Sequence, residues 1–260
     1  MVQLNFGFGA LEADFWRWVF VMTRIGAAMF AAPLFGGGTV PYQVRVVLTA
    51  ALALLVCAWT PVAAPPALLS LNGLLFTAGE VLIGLAMGFV LQLSFAAPTL
   101  AAEVIGAGMG MSIATTADPV SGASSPALGQ YFAVVLTVIF LGTGAHLNWI
   151  GLLVESYAAF PPGTPWLSAG RMDLIAQFAG QMFLTALLIA LPVTLILLLV
   201  QVTTGIISRS APSLNLFSLG LPAGVLAGLA AMIAAAPMFT DLMIDISASA
   251  VGHAAALIAQ

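Results

Sequence analysis

The sequence predicts an all-α integral membrane protein built on about six long hydrophobic helices. Three observations predict it. Of 260 residues, 62% are hydrophobic, and the mean hydropathy is +1.16. Charged residues make up only 5%, where a soluble domain carries about 25%. The apolar residues fall into runs of membrane-spanning length, divided by short turn-forming stretches. So little polar surface cannot cover so much apolar surface in water, and a bilayer removes the need.

A helix crosses the hydrocarbon core with roughly 20 apolar residues. Six runs meet or approach that length: about 15–34, 44–63, 73–97, 128–147, 177–203 and 216–239. The first ends at "PLFGGGTVP", the second at "TPVAAPP", and "FPPGTPW" separates the fourth from the fifth. These stretches are rich in the residues that stop helices and make turns. Trp16, Trp18, Trp59, Trp149 and Trp166 fall at or near run ends, where an indole keeps its ring dry and its N–H wet. Pro98 is expected to end or bend the third helix, and Pro192 to kink the fifth. No cleaved signal peptide is expected, because the first ten residues carry no basic residue and the long apolar run starts only near Phe15. No boundary, repeat or low-complexity tract divides the chain, so 1–260 reads as a single helical membrane domain.

Nine acids face five arginines and no lysine, a net charge of −4. No basic patch for nucleic acid exists, and no polybasic anchor for lipid headgroups. In a six-span topology, Arg17 and Arg171 fall on one side, Arg45 and Arg209 on the other. The positive-inside rule needs an imbalance and finds none. Cys57 is the single cysteine, so an internal disulfide is excluded.

Within the runs, Arg24 and Glu80 stand out. A charge at the bilayer centre costs about 2.5–3.5 kcal/mol on insertion scales, so both are expected to face protein or water and to pair, with each other or with another subunit. Gly84 and Gly88 form one GxxxG, and Gly220, Gly224 and Gly228 form two in series, spacings that let helix backbones approach. Enzymatic chemistry is not expected. His146 has no carboxylate to orient it, no serine (Ser112 included) sits in a G-x-S-x-G elbow, and no Walker or dinucleotide glycine pattern is present. No Cys/His cluster has metal spacing, and no cofactor is expected.

Five stretches, taken in order, resemble the FliR family, the R-class membrane subunit of the flagellar type III export gate. They are "RIGAAMFAAPLFGGGTVPYQVR" (24–45), "GEVLIGLAMG" (79–88), "GAGMGMSIATTADPVSG" (106–122), "GTGAHL" (142–147) and "APSLNLFSLGLP" (211–222). The resemblance covers about Phe15 to Phe239. It implies a subunit of bent helical hairpins, partly above the membrane plane, joined with P-class and Q-class subunits in a multi-subunit gate. It also implies a place in the bacterial inner membrane at the flagellar basal body. Other membrane proteins of the export apparatus would be neighbours, and unfolded flagellar proteins transient substrates. Related injectisome subunits share the asparagine motif, so the equivalent virulence subunit is the alternative. A small-solute transporter is a further alternative, with few midplane polar groups to serve it.

The resemblance places the family's plug in the central segment, 105–126. Gly106, Gly108 and Gly110 leave its backbone pliable, Met109 and Met111 supply adaptable apolar side chains, and Ser112 and Asp118 complete the polar part. A non-helical segment of this kind is tolerated at membrane depth when buried in protein or lining a cavity. Residues 106–122 are therefore expected to form a movable seal in the closed gate. Asn215, just before the sixth run, is expected to cap that helix or to contact another subunit.

Overall fold

The computed structural model describes residues 10–36, 40–62, 70–111, 127–164, 166, 168–210 and 216–259. Among the described residues there are helices and no strands: α1 (Ala10–Ala31), α2 (Pro33–Gly36), α3 (Tyr42–Trp59), α4 (Leu71–Gly108), α5 (Ala127–Gly142), α6 (Ala145–Ala159), α7 (Ala169–Ser210) and α8 (Leu216–Ala259). α3, α4, α7 and α8 are long and apolar enough to cross a membrane. A fifth joins them if α5 and α6, bent by 71° at a short break, make one broken span.

The helix count differs from six for two physical reasons. The first apolar run lies in α1, whose Glu12, Asp14, Arg17 and Arg24 set it apart from the four spans. The fourth run breaks at Thr143–Gly144, where Gly144 takes a left-handed φ of 74° that glycine adopts without strain. Neither proline ends its helix. α4 runs on through Pro98 to Gly108, and α7 through Pro192 to Ser210. Proline removes a single backbone bond, and apolar surroundings penalise opening any others. α4, α7 and α8 hold 38, 42 and 44 residues. At 1.5 Å per residue they are about 57–66 Å long, roughly twice the hydrocarbon thickness.

Two compact units form. The first comprises Met1–Ser94, Gly144–Phe178 and Ala248–Gln260; the second comprises Phe95–Thr143 and Ala179–Ser247. In the first, Phe20, Ile25 and Met29 of α1, Met87 and Leu91 of α4, and Trp149 of α6 are buried. Trp149 was expected at an interface from its place near a run end, yet it is fully buried, because α6 turns that face into the core. In the second, Phe95 meets Phe140 edge-on at 5.4 Å and Phe132 meets Phe239 at 5.5 Å, a favoured aromatic geometry.

Three further arginines donate to protein carbonyls. Arg17 donates to the carbonyls of Cys57 (2.9 Å) and Thr60 (2.6 Å) at the end of α3. Arg45 donates to Gly36, the last residue of α2, and to Val40. Arg171 donates to the Trp166 carbonyl (2.6 Å) and lies over the Phe160 ring. The last carbonyls of a helix lack partners and carry its negative dipole end, so a guanidinium is well placed there.

α1 and α4 touch backbone to backbone. A Cβ at Gly84 would run into the Arg24 carbonyl and come within 2.9 Å of Ala27 Cβ. One at Gly88 would run into the Ala28 carbonyl and come within 2.7 Å of Ala31 Cβ. The GxxxG spacing here serves close packing. Gly84→Ala and Gly88→Ala should each destabilise the fold by about 1–3 kcal/mol. Gly180→Ala, where the added methyl meets open space, should be neutral or slightly stabilising. Thermal denaturation of the detergent-purified protein, alone or in complex, checks the contrast.

Candidate functional site

The two charges inside the apolar runs, expected to pair, do so with each other. Arg24 Nε donates to Glu80 Oε2 at 2.7 Å and Nη2 to Oε1 at 2.8 Å, a two-pronged pair between α1 and α4. Arg24 is wholly inaccessible and Glu80 is 1% exposed. The remaining donors go to α6. Nη1 donates to the Ser156 carbonyl (2.8 Å) and Oγ (3.1 Å), and Nη2 to the Phe160 carbonyl (2.8 Å). A guanidinium has five N–H groups, and each has an acceptor here.

The ring of Tyr157 lies under the guanidinium, 4.1 Å from centroid to Cζ, and its hydroxyl donates to the Val21 carbonyl at 2.8 Å. Ser156 Oγ gives its own proton to the Leu153 carbonyl, which leaves its lone pairs for Arg24. The sequence reading missed the α6 contribution. The signal was "ESYAAF" (155–160), a run of polar side chains closing an apolar stretch.

A second constellation holds the end of α4. Gly106 and Gly108, expected in a non-helical segment, belong to the helix, which stops only at Met109–Gly110. Its apolar neighbours Ile105 and Met109 have a core to enter, so helix persists longer than glycine content suggests. The Gly108 carbonyl accepts from Gln201 Nε2 of α7 at 2.9 Å, and a Cβ there would stand 3.0 Å from Leu197 Cδ1.

Met109 is 2% exposed and sits against α8 at two missing side chains. A Cβ at Gly224 would meet the Met109 carbonyl at 3.2 Å; one at Gly228 would meet its Cγ at 2.7 Å and its sulfur at 3.0 Å. The second GxxxG thus receives a methionine as well as backbone. Gly110, at φ 79°, turns the chain, and a Cβ there would lie 2.6 Å from Leu221 Cδ2. Met111 follows, half-buried. Ser112, Asp118 and Asn215 lie outside the described residues. Among the described residues, no group of three or more His, Cys, Asp or Glu side chains is placed to hold a metal.

Residues 15–250, which hold both constellations, match the sequence model of the bacterial export proteins, family 1. The flagellar biosynthetic protein FliR of Escherichia coli K12 is 31% identical over 228 residues, 88% of this chain and 85% of that one. The Bacillus subtilis protein of the same name is 32% identical, covering 78% and 79% of the two chains, and that of Aquifex aeolicus is 27% identical, covering 85% of each.

The chain belongs to the FliR family of bacterial export proteins. It is a membrane-embedded subunit of the flagellar export apparatus. In this FliR-family chain the charged node and the methionine seat occur in different units, Arg24 and Glu80 in the first and Met109 in the second.

The methionine seat makes a specific expectation. Gly228→Ala should push Met109 out of place and cost about 1–3 kcal/mol. Met109→Ala alone should cost about 2–5 kcal/mol through the cavity it leaves. The double variant should lose less than the sum, because each change relieves the other. Thermal denaturation of the four proteins checks this coupling.

Proposed function

We propose that the chain assembles with P-class and Q-class subunits, beside other export-apparatus membrane proteins, in the bacterial inner membrane at the flagellar basal body. There it helps form the pore through which unfolded flagellar proteins leave the cytoplasm. Its part is structural and gating: it carries no cofactor and performs no bond chemistry. Its contacts are protein and membrane lipid, with no nucleic acid.

The observation that carries the reading is the match to the export family from residue 15 to residue 250. Large apolar side chains exposed along α7, such as Leu184, Leu188, Leu199 and Ile206, are in keeping with a helix that meets lipid or neighbouring subunits. The length of α4, α7 and α8 is in keeping with helices that continue beyond one bilayer thickness.

Residues 106–122 form the movable seal in this reading, rooted where Met109 is seated and Gly110 turns the chain. A fixed root and an adaptable apolar remainder suit a closure that must exclude ions and still yield to a polypeptide.

The test has two parts in one strain, lacking its own gene and carrying this one with an affinity tag. The chain should restore motility and co-purify with P-class and Q-class subunits. A variant lacking 112–122 should still co-purify, yet raise the ion conductance of the cell membrane. Restored motility without co-purification, or an assembled deletion complex as tight as wild type, overturns the corresponding half.

A further inference from the structure

We infer that Gln201 is the positioning residue for the end of α4: its carboxamide takes the Gly108 carbonyl, stops the helix there and fixes the level at which the seal begins. The inference deepens the seal reading and rests on it for its consequence, though not for the contact itself.

The level depends on what the Gly108 carbonyl bonds. In a helix that continues, a carbonyl accepts the N–H four positions on. At a helix end it has no intrahelical partner, and an unpaired carbonyl disfavours the end. α4 resolves this within its last turn. The Met109 N–H bonds the Ile105 carbonyl at 2.9 Å, and the Gly110 N–H tightens onto the Ala107 carbonyl at 3.0 Å. The Gly108 carbonyl accepts from Gln201 Nε2 at 2.9 Å. Gly110 then takes a φ of 79°, outside the helical region.

The other contacts at this end are apolar. Leu197, one turn before Gln201 on α7, lies against Gly108. Met109 lies against Gly224 and Gly228 of α8, and Leu221 stands beside Gly110. A methionine adapts to small shifts, and apolar contacts have no preferred direction. The Gln201 bond is directional, and among the described residues no other side chain donates to the last turn of α4.

The surroundings of Gln201 give its carboxamide no second use. It is the only polar side chain in 195–202, and its neighbours Leu198 and Leu199 are exposed apolar side chains. A carboxamide in such a run is costly unless it is hydrogen-bonded. Without the amide donor, the Gly108 carbonyl regains a partner by winding the helix on past Gly110. That replaces the left-handed turn and redirects the chain that follows.

The experiment uses the assembled complex in native membranes. The pair Gly108→Cys and Leu197→Cys reads the contact, because a Cβ at Gly108 lies 3.8 Å from Leu197 Cβ, a separation that suits a disulfide. With Cys57→Ser these are the chain's only thiols. Cross-linking is followed under a mild oxidant, and ion conductance is measured on the same Gln201 variants without the cysteine pair. Gln201→Met keeps the length of the side chain and loses the donor. It should cross-link about 10-fold more slowly and raise the conductance. Gln201→His keeps a ring N–H that can donate, and should restore both fast cross-linking and a tight membrane.

Unchanged cross-linking in Gln201→Met overturns the inference. A Gln201→His variant as slow as Gln201→Met overturns it too, since the donor would not be what matters. Slow cross-linking in a membrane that stays tight is resolved by the variant lacking 112–122. If that variant leaks, Gln201 does not position the seal and the inference falls. If it is also tight, the seal reading falls and the contact at the α4 end stands.

Discussion

A fully buried guanidinium is costly in an apolar protein unless its N–H groups find acceptors, and Arg24 meets that condition through three helices at once. Glu80 of α4 takes two bonds, and Ser156 and Phe160 of the α6 end take three. An error of a turn in the placement of α1 against either helix would strand a charge in low dielectric, at a cost of about 3–5 kcal/mol. Apolar contacts along these helices are numerous but interchangeable, since one leucine row packs on another at several registers. The five-donor fork is satisfied at one. Its contribution is to register more than to net stability, because desolvating the pair consumes much of what the bonds return.

The rest of the first unit is arranged so that this fork can form. Gly84 faces the Arg24 carbonyl and Gly88 the Ala28 carbonyl one turn on, and together they let α4 lie directly against the backbone of α1. A larger residue at either place would move Glu80 away from α1. Tyr157 packs its ring on the guanidinium and ties its hydroxyl to Val21, so α6 is fixed to α1 by a neutral bond beside the charged ones. Arg17 and Arg45 do related work at the ends of α3 and α2. In a chain with five cations, these two serve helix ends rather than solvent.

Much of this was legible in the sequence. Hydropathy gave the all-helical membrane class, and the cost of intramembrane charge singled out Arg24 and Glu80. The GxxxG spacing marked Gly84 and Gly88 as contact positions. What was not legible depended on pairs remote in sequence. Nothing near Arg24 indicated that Ser156 and Phe160, more than 130 positions on, would complete its shell. Gly106 and Gly108 read as loop because glycine is a poor helix former. Met109, however, finds a glycine seat on α8, and that tertiary contact outweighs local propensity. Pro98 read as a place where the third helix could end, a local rule applied where apolar surroundings favour continued helix. The resemblance to FliR, carried by scattered motifs, supplied what composition never does, the export function.

The central claim is that Arg24 and Glu80 act as one unit that sets helix register. A double-mutant cycle on the tagged complex tests it most directly, using Arg24→Met, Glu80→Met and both together, with recovery and thermal denaturation as readouts. Each single change should cost about 3–5 kcal/mol by leaving an unpaired buried charge, and the double should recover most of that loss. Losses that simply add, with the double variant worse than either single, would show that the two residues act independently and would contradict the account.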